Sequence, residues 1–459
     1  MTEVVVDHAE GAAIPVHALL ERETAAFLEG RAAFVKAFAE LSDFKGKAGQ
    51  LLVVPDTAGA VDRVLYGLGE RAEAQGFRAL AAKLPAGDYK IASAPAGLVP
   101  DEIALAFALG SYRFDRYKKK RETQPRLVVE GIDIARVRDI AHACALARDM
   151  VNTPPNDMGP LQIETIAREI AEQFGATITV TTGEGLLEAN YPAVHAVGRA
   201  AVPERGPRMI EIQWGEAGKP LVALVGKGVV FDTGGLDIKP AAGMRLMKKD
   251  MGGAAHALAL GRMIMAARLP VRLAVLVPAV ENAISGDAMR PGDVLDSRKG
   301  LSIEVGNTDA EGRLILADAL TRAAELDPAL TLDLATLTGA ARMALGPQLP
   351  PFYTDDEELA GQIEAAMNAV GDPMWRMPLW KGYVDSLDSD VADVKNDSDA
   401  WAQAGSITAA LFLQKFAPSG PWAHFDIFAW NPRGRPGWPS GGEVQAIRAL
   451  FRMIEARFG

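Results

Sequence analysis

The chain has 459 residues, 49% of them hydrophobic and 23% charged, the composition of a globular protein long enough for two or three domains and not of a disordered or fibrous one. Its net charge of −11 argues against nucleic acid or a membrane surface as the main partner. The opening MTEVVVDHAEGAAIP lacks a basic stretch leading into an apolar one, and no run of about eighteen apolar residues occurs, so a soluble, cytoplasmic protein is expected.

From about residue 50 the runs QLLVVPD, DRVLYGLG, DYKIASA and PRLVVEG have strand character and alternate with helix-like stretches at 71–84 and 102–117. They predict a small α/β domain over residues 1–134. Residues 135–151 place Val137, Ile140, Cys144, Ala147 and Val151 at helical spacing up to the turn sequence NTPPN, and predict a connector helix. Cys144, the single cysteine, reads as a small buried hydrophobe; a disulfide and a thiolate zinc site are both excluded, so any metal must sit on oxygen or nitrogen. Residues 152–459 alternate ATITVTT, RMIEIQW, PLVALVGKGVVF, VRLAVLVPAV, LSIEV, LTLDLATLTG and WAHFDIFAW with helical patterns such as 252–268. This predicts a larger α/β domain, a mixed and mainly parallel central sheet flanked by helices, with its ligand site beyond the carboxyl ends of the strands.

Residues 307–314, NTDAEGRL, follow the strand-like 301–305 and open the helix-like 313–325. Asp309 and Glu311 stand two apart in what reads as non-helical backbone, so both can face one cavity, as carboxylates that hold divalent metals do. A second cluster at 225–253 sets Lys227, Asp232, Lys239 and Asp250 among the glycine pairs 234–235 and 252–253, where backbone can pack closely. Together the segments bring four carboxylates, two lysines and Arg313 to two strand ends. One acid in a glycine-rich loop is ordinarily a solvated surface group. Four gathered together would repel one another and raise each other's pKa values, a conflict that two divalent ions would resolve.

The segments GKGVVFDTGG, IKP, KKDMGG and NTDAEGRL, in this order and spacing, resemble those of the leucine aminopeptidase (cytosol aminopeptidase) family of dinuclear metallopeptidases. The likeness is most specific over 152–341, extends to the C-terminus through AGSITAALFLQKF and WAHFDIFAW, and touches the N-terminal part at GSYRFDRYKKK. It implies that Asp232 and Glu311 touch both metals, that Lys227 and Asp250 complete one site, and that Asp309 completes the other. A lysine ligand must be neutral, so Lys227 would need a strongly depressed pKa. The same resemblance implies Lys239 as an electrophilic catalyst and Arg313 as a catalytic residue holding a bicarbonate ion. Met247, Thr336 and Leu337 match positions that line the pocket for the first substrate side chain or hold the bicarbonate.

Two ions roughly 3.5 to 4 Å apart can share and activate one water, polarise a scissile carbonyl and anchor a free α-amine, which points to an exopeptidase acting on peptides with a free N-terminus, and the resemblance implies an aminopeptidase of the leucyl type. Every carboxylate is committed to metal, so a carbonate species clamped by an arginine is the candidate proton shuttle. Zinc and manganese suit the donor set equally. The resemblance further implies a homohexamer. The alternatives are a two-metal phosphoester hydrolase and an aminopeptidase doubling as a DNA-binding regulator.

Other signals have plainer readings. Lys227 sits in Gly-Lys-Gly, but the spacing of a phosphate loop is absent. His256 and His424, in apolar surroundings, read as satisfied core histidines, and Lys118 to Arg121 as a solvated helix end. Around RPGWPSGGEVQAIRALF the chain departs from leucine-preferring members, which leaves the side-chain preference open.

Overall fold

The computed structural model describes residues 3–119, 123–398, 400 and 402–459. The chain divides into two compact units, Met1–Ala145 with Arg433–Ser440, and Leu146–Pro432 with Gly441–Gly459. The helix Ile134–Asn152 carries the chain from the first into the second.

In the first unit, β1 (Val5–Val6), β2 (Ile14–Leu20), β3 (Leu51–Pro55), β4 (Val61–Gly69), β5 (Gly87–Ser93) and β6 (Pro125–Val128) form a six-stranded sheet among the described residues, ordered β1-β6-β5-β2-β4-β3. All its pairings are parallel except β3 with β4. Strand β2 holds a central place yet lies before residue 50, where Pro15 and His17 interrupt its apolar run. The helix foreseen at 102–117 ends at Gly110, so Lys118 and Lys119 lie beyond a helix and not at its end; Lys120 and Arg121 fall outside the described residues. The returning segment Arg433–Ser440 belongs to this unit because Arg78 binds it twice: its Nε donates to Gly437 O at 3.2 Å, and its guanidinium lies 4.5 Å from the Trp438 ring.

The second unit holds β7 (Thr177–Thr182), β8 (Arg208–Trp214), β9 (Leu221–Gly226), β10 (Gly228–Asp232), β11 (Arg272–Asn282), β12 (Val294–Leu295), β13 (Ile303–Glu304), β14 (Leu330–Ala335), β15 (Pro351–Tyr353), β16 (Trp375–Arg376), β17 (Val394–Lys395) and β18 (Trp422–Asp426). Its main sheet runs β16-β15-β18-β14-β9-β11-β8-β7, with β10 added alongside β11. The interior pairs β18-β14, β14-β9 and β9-β11 are parallel, whereas β8 and β7 add antiparallel partners on one side. Parallel strands buried on both faces read as continuous apolar runs, and β9 and β14 are buried along their whole length. The helix Gly252–Ala266 is buried through Met265 because alanine and glycine fill much of its surface and let it press against β9, β14 and β11.

The turn that carries Asp309 does not follow a strand of that main sheet. It follows β13, part of a small sheet ordered β12-β13-β17. The helix after it begins at Glu311, not Arg313, so Glu311 occupies the first helical position and only Asp309 lies in non-helical backbone.

Candidate active site

Lys227 interrupts what the sequence suggested as one strand, splitting it into β9 and β10. Its backbone N–H still donates to Leu334 O of β14 at 3.0 Å and its carbonyl accepts from Ala254 N at 2.8 Å, so the residue is pinned while its side chain turns into the site. The side chain lies on Gly312, where any Cβ would stand 2.7 Å from Lys227 Nζ; only glycine admits the lysine there. Nζ meets Asp250 Oδ2 at 2.8 Å and Glu311 Oε1 at 3.1 Å and donates to Thr336 O at 3.2 Å.

Asp232 ends β10. Its Oδ1 accepts from Asn282 Nδ2 and from Gly234 N, each at 2.8 Å. Beyond it the chain turns through Gly234 at φ +88° and Gly235 at φ +65°, a left-handed path open to glycine. Lys239 N donates to Thr233 O at 2.9 Å, which closes the loop and returns Lys239 Nζ to Asp232 Oδ2 at 2.7 Å and to Asp309. Asp250 is oriented by Thr336, whose Oγ1 donates to its Oδ1 at 2.8 Å.

The 307–311 turn is tied down from both sides. Thr308 Oγ1 donates to Gly234 O at 2.6 Å, and Thr308 N donates to Asp237 Oδ2 at 2.8 Å. Asn396, wholly buried just after β17, accepts from Gly306 N at 2.8 Å, donates to Asn307 O at 2.8 Å, and offers its own carbonyl to Arg313 Nη1 at 2.7 Å. Oxygens of Asp232, Asp309 and Glu311 consequently lie within 4.8 Å of one another. A cavity of about 720 Å³ opens over them, lined also by Lys227, Lys239, Asp250, Arg313, Met247, Thr336 and Leu337. The structure thus brings together every residue singled out in the sequence. Glu311 lies beneath the cavity lining, 1% exposed.

Protein groups alone do not make this cluster comfortable. Burial raises the Glu311 carboxyl to about 8, with Asp232 as the next cause, and the same two causes raise Asp309 to about 6. Both oxygens of Glu311 are buried and accept no hydrogen bond among the described residues, the Lys227 ammonium 3.1 Å from Oε1 being the charge that faces them. Burial by itself would lower the Lys227 ammonium, but Asp250, Glu311 and Asp232 outweigh it and hold the group above the ordinary lysine value. The depressed pKa a lysine ligand requires is therefore not supplied by the protein and needs metal charge in place. Five oxygen or amine donors from Lys227, Asp232, Asp250, Asp309 and Glu311, with a buried carboxylate that accepts no hydrogen bond among the described residues, fit hard divalent cations.

Sequence reasoning missed the groups that hold these donors. Asn282 orients Asp232, and Asn396 staples the acidic turn. Asp426 receives Leu337 N, Thr338 N and Thr338 Oγ1 and so shapes the loop bearing Thr336 and Leu337. No local pattern marks such residues, because their partners lie 50 to 90 positions away. The core placement read for both histidines and for Cys144 agrees with the fold, but of the two histidines only His256 is satisfied at both nitrogens, since His424 Nε2 is buried without a hydrogen-bond partner among the described residues. All three are buried, His256 hydrogen-bonds Gly252 O and Gln445 N, and His424 Nδ1 meets Asp333 Oδ1 at 2.5 Å.

Comparison with known proteins gives a consistent answer. The catalytic domain of the cytosol aminopeptidase family matches residues 145–451, and the M17 aminopeptidase N-terminal domain matches residues 14–130. A probable cytosol aminopeptidase of Syntrophotalea carbinolica is 41% identical over 450 residues, spanning 90% of this chain and 89% of that protein. The crystal structure of cytosol aminopeptidase from Coxiella burnetii superposes with a TM-score of 0.94 at 43% identity, covering 99% of this chain and all of that one. The bottromycin maturation enzyme BotP in complex with Mn superposes with a TM-score of 0.87 at 34% identity, covering 98% of this chain and all of that one. With both of its parts matched and relatives aligned along nearly its whole length, the chain belongs to the leucine (cytosol) aminopeptidase family and is a metalloaminopeptidase.

Proposed function

We propose that the protein releases N-terminal amino acids from peptides with a free α-amine, using two divalent ions held by Lys227, Asp232, Asp250, Asp309 and Glu311. The observation that carries this reading is Glu311, a buried carboxylate faced by the Lys227 ammonium at Oε1 and by no hydrogen-bond donor at Oε2 among the described residues, grouped with Asp232 and Asp309. Divalent metal in such a site supplies Lewis acidity toward the scissile carbonyl and lowers the pKa of water. Manganese and zinc both suit the donors, and the manganese complex of BotP supports the former.

The chain's own groups take the remaining tasks. Lys239, whose ammonium is held above its ordinary pKa by Asp232 and Glu311 despite burial, stays charged and stabilises negative charge developing on the carbonyl oxygen. Arg313 is buried at the cavity wall with one guanidinium nitrogen tied to Asn396 O and its Nε without an acceptor among the described residues. That donor would hold a small oxyanion, bicarbonate being the one we assign to it, and such an ion would supply proton-transfer capacity beside the leaving amine. Met247, Thr336 and Leu337 line the space for the first side chain and the oxyanion. A homohexamer in the cytoplasm completes the proposal, in keeping with the family and with the name borne by its relatives.

The test is hydrolysis of aminoacyl anilides by metal-stripped protein titrated with Mn²⁺ or Zn²⁺, beside N-acetylated versions of the same substrates. Metal-dependent cleavage restricted to free-amine substrates is expected. Cleavage of the acetylated set, or of neither set by protein shown to bind two ions, refutes the reading.

A further inference from the structure

Lys249 was given no role by sequence reasoning, yet it faces the same cavity. It is 6% exposed, and its Nζ has no hydrogen-bond acceptor among the described residues. Its nearest carboxylate oxygen, Asp250 Oδ1, stands 3.9 Å away and already accepts from Thr336, while Asp250 Oδ2 is paired with Lys227. Asp426, the next acid, is occupied by two backbone N–H groups and the hydroxyls of Thr338 and Ser406. What Lys249 does contact is the ring of Phe428, 5.2 Å from Nζ. A second cation, Arg342, approaches the same ring, with its Cζ 4.9 Å from the centroid.

Two cations thus share one aromatic ring on a cavity wall, and among the described residues no carboxylate comes closer to Lys249 than Asp250 at 3.9 Å. An ammonium on a cavity wall whose neighbouring carboxylates are already engaged can take an anionic group that enters the cavity as its acceptor. Metal bound at Asp250 would draw that residue's charge away and leave Lys249 with still less compensation. The nearness of Lys249 to Asp250 also places it within a side chain's reach of a residue whose amine and carbonyl sit at the acidic cluster.

Resting on the aminopeptidase reading above, we propose that the pocket for the first side chain selects a carboxylate, so that the preferred N-terminal residues are glutamate and aspartate, with Lys249 as the direct partner and Arg342 as a second cation at the rim. Met247 and the Phe428 ring supply the apolar walls along which the methylenes of such a side chain lie.

Glutamyl, glutaminyl and leucyl anilides offered to the Mn²⁺-loaded enzyme test this. Glutamate and glutamine have nearly the same shape, so their kcat/KM ratio isolates the charge. Wild type should favour glutamyl over glutaminyl substrate by roughly tenfold or more, and the ratio should fall as NaCl is added. Lys249→Met should bring the ratio close to one, and Arg342→Met should lower it less because that group is exposed to solvent. A ratio taken within one preparation is immune to loss of folded or metal-loaded protein. Wild type that favours glutaminyl substrate, or a ratio unmoved by Lys249→Met, overturns the assignment. Cleavage of leucyl but not glutamyl anilide overturns it while leaving the aminopeptidase reading intact, and cleavage of no free-amine anilide removes both.

Discussion

Replacing Glu311 by glutamine should make the metal-free protein more stable and the metal-loaded protein less so. In the unfolded chain this carboxyl ionises near 4.5; in the metal-free folded protein it does so at about 8. Between those values the folded state holds the extra proton, so stability falls as pH rises through that window and is lowest above about 8. Ionising the group in the folded, metal-free protein therefore opposes folding. Glu311→Gln also gives up the attraction between this carboxylate and the Lys227 ammonium, so it should recover only part of that cost, ~2 kcal/mol, at pH near 8.5 and little near pH 5. Thermal unfolding of EDTA-dialysed protein should therefore show a variant a few degrees more stable than wild type at the alkaline end, the two converging in acid. Saturating Mn²⁺ should invert the order, since wild type gains the binding free energy and the variant loses an oxygen ligand. Parallel pH profiles of the two metal-free proteins, or equal stabilisation by Mn²⁺, would falsify the view that Glu311 sits unsatisfied in a metal-seeking cluster.

Further consequences can be checked separately. Lys239→Ala should lower kcat by two or more orders of magnitude with metal content retained, measured by steady-state kinetics beside metal analysis; a change in KM alone would place Lys239 in binding instead. Arg313→Ala should reduce the rate moderately, with added bicarbonate stimulating wild type more than the variant; equal responses would remove the proton-shuttle role. Asn396→Ala strands backbone groups on both sides of the acidic turn and should cost about 1–3 kcal/mol while weakening metal affinity, read by denaturant unfolding and metal titration. Asp333→Asn should cost about 3 kcal/mol near pH 6 by breaking the buried pair with His424. Burial lowers the His424 pKa but Asp333 outweighs it, so the pair's contribution is full below 6.5 and declines as pH rises through the raised His424 value; unfolding midpoints of the two proteins should converge in alkali.

Much of the site was readable because its chemistry is local. Lys227, Asp232, Lys239 and Asp250 lie within one stretch of alternating glycine and charge, and Asp309, Glu311 and Arg313 within another, so residue type and spacing disclosed them. The largely apolar runs of β9, β11 and β14 were equally plain, since strands covered on both faces admit few polar residues, Asp333 of β14 being one that is paired with His424. What stayed hidden depends on distant partners. The break at Lys227 lies inside an unbroken apolar pattern and arises from the contacts its backbone makes with β14 and the helix behind it. The start of the helix at Glu311 was obscured because Gly312 argues against helix, yet that glycine is required by Lys227 packed on it. Strand β2 was missed where proline and histidine disguise its apolar face, and the place of Arg433–Ser440 in the first unit is set by Arg78, far back in the chain.

The acidic turn hangs from a sheet of three short strands, whereas Asp232 ends a strand of the main sheet and Asp250 is held by Thr336, just after β14. Short strands open more readily than long buried ones, so the turn and the main-sheet ligands should separate in brief local fluctuations. An ion bound across both would have to be released before such an opening, which makes occupancy a latch on backbone motion. Amide hydrogen exchange at residues 303–308 and 394–396 should then slow sharply when metal is added, while amides inside β9 and β14 change little. Loss of metal would be felt first as loosening at that outer sheet, well before any change in the core.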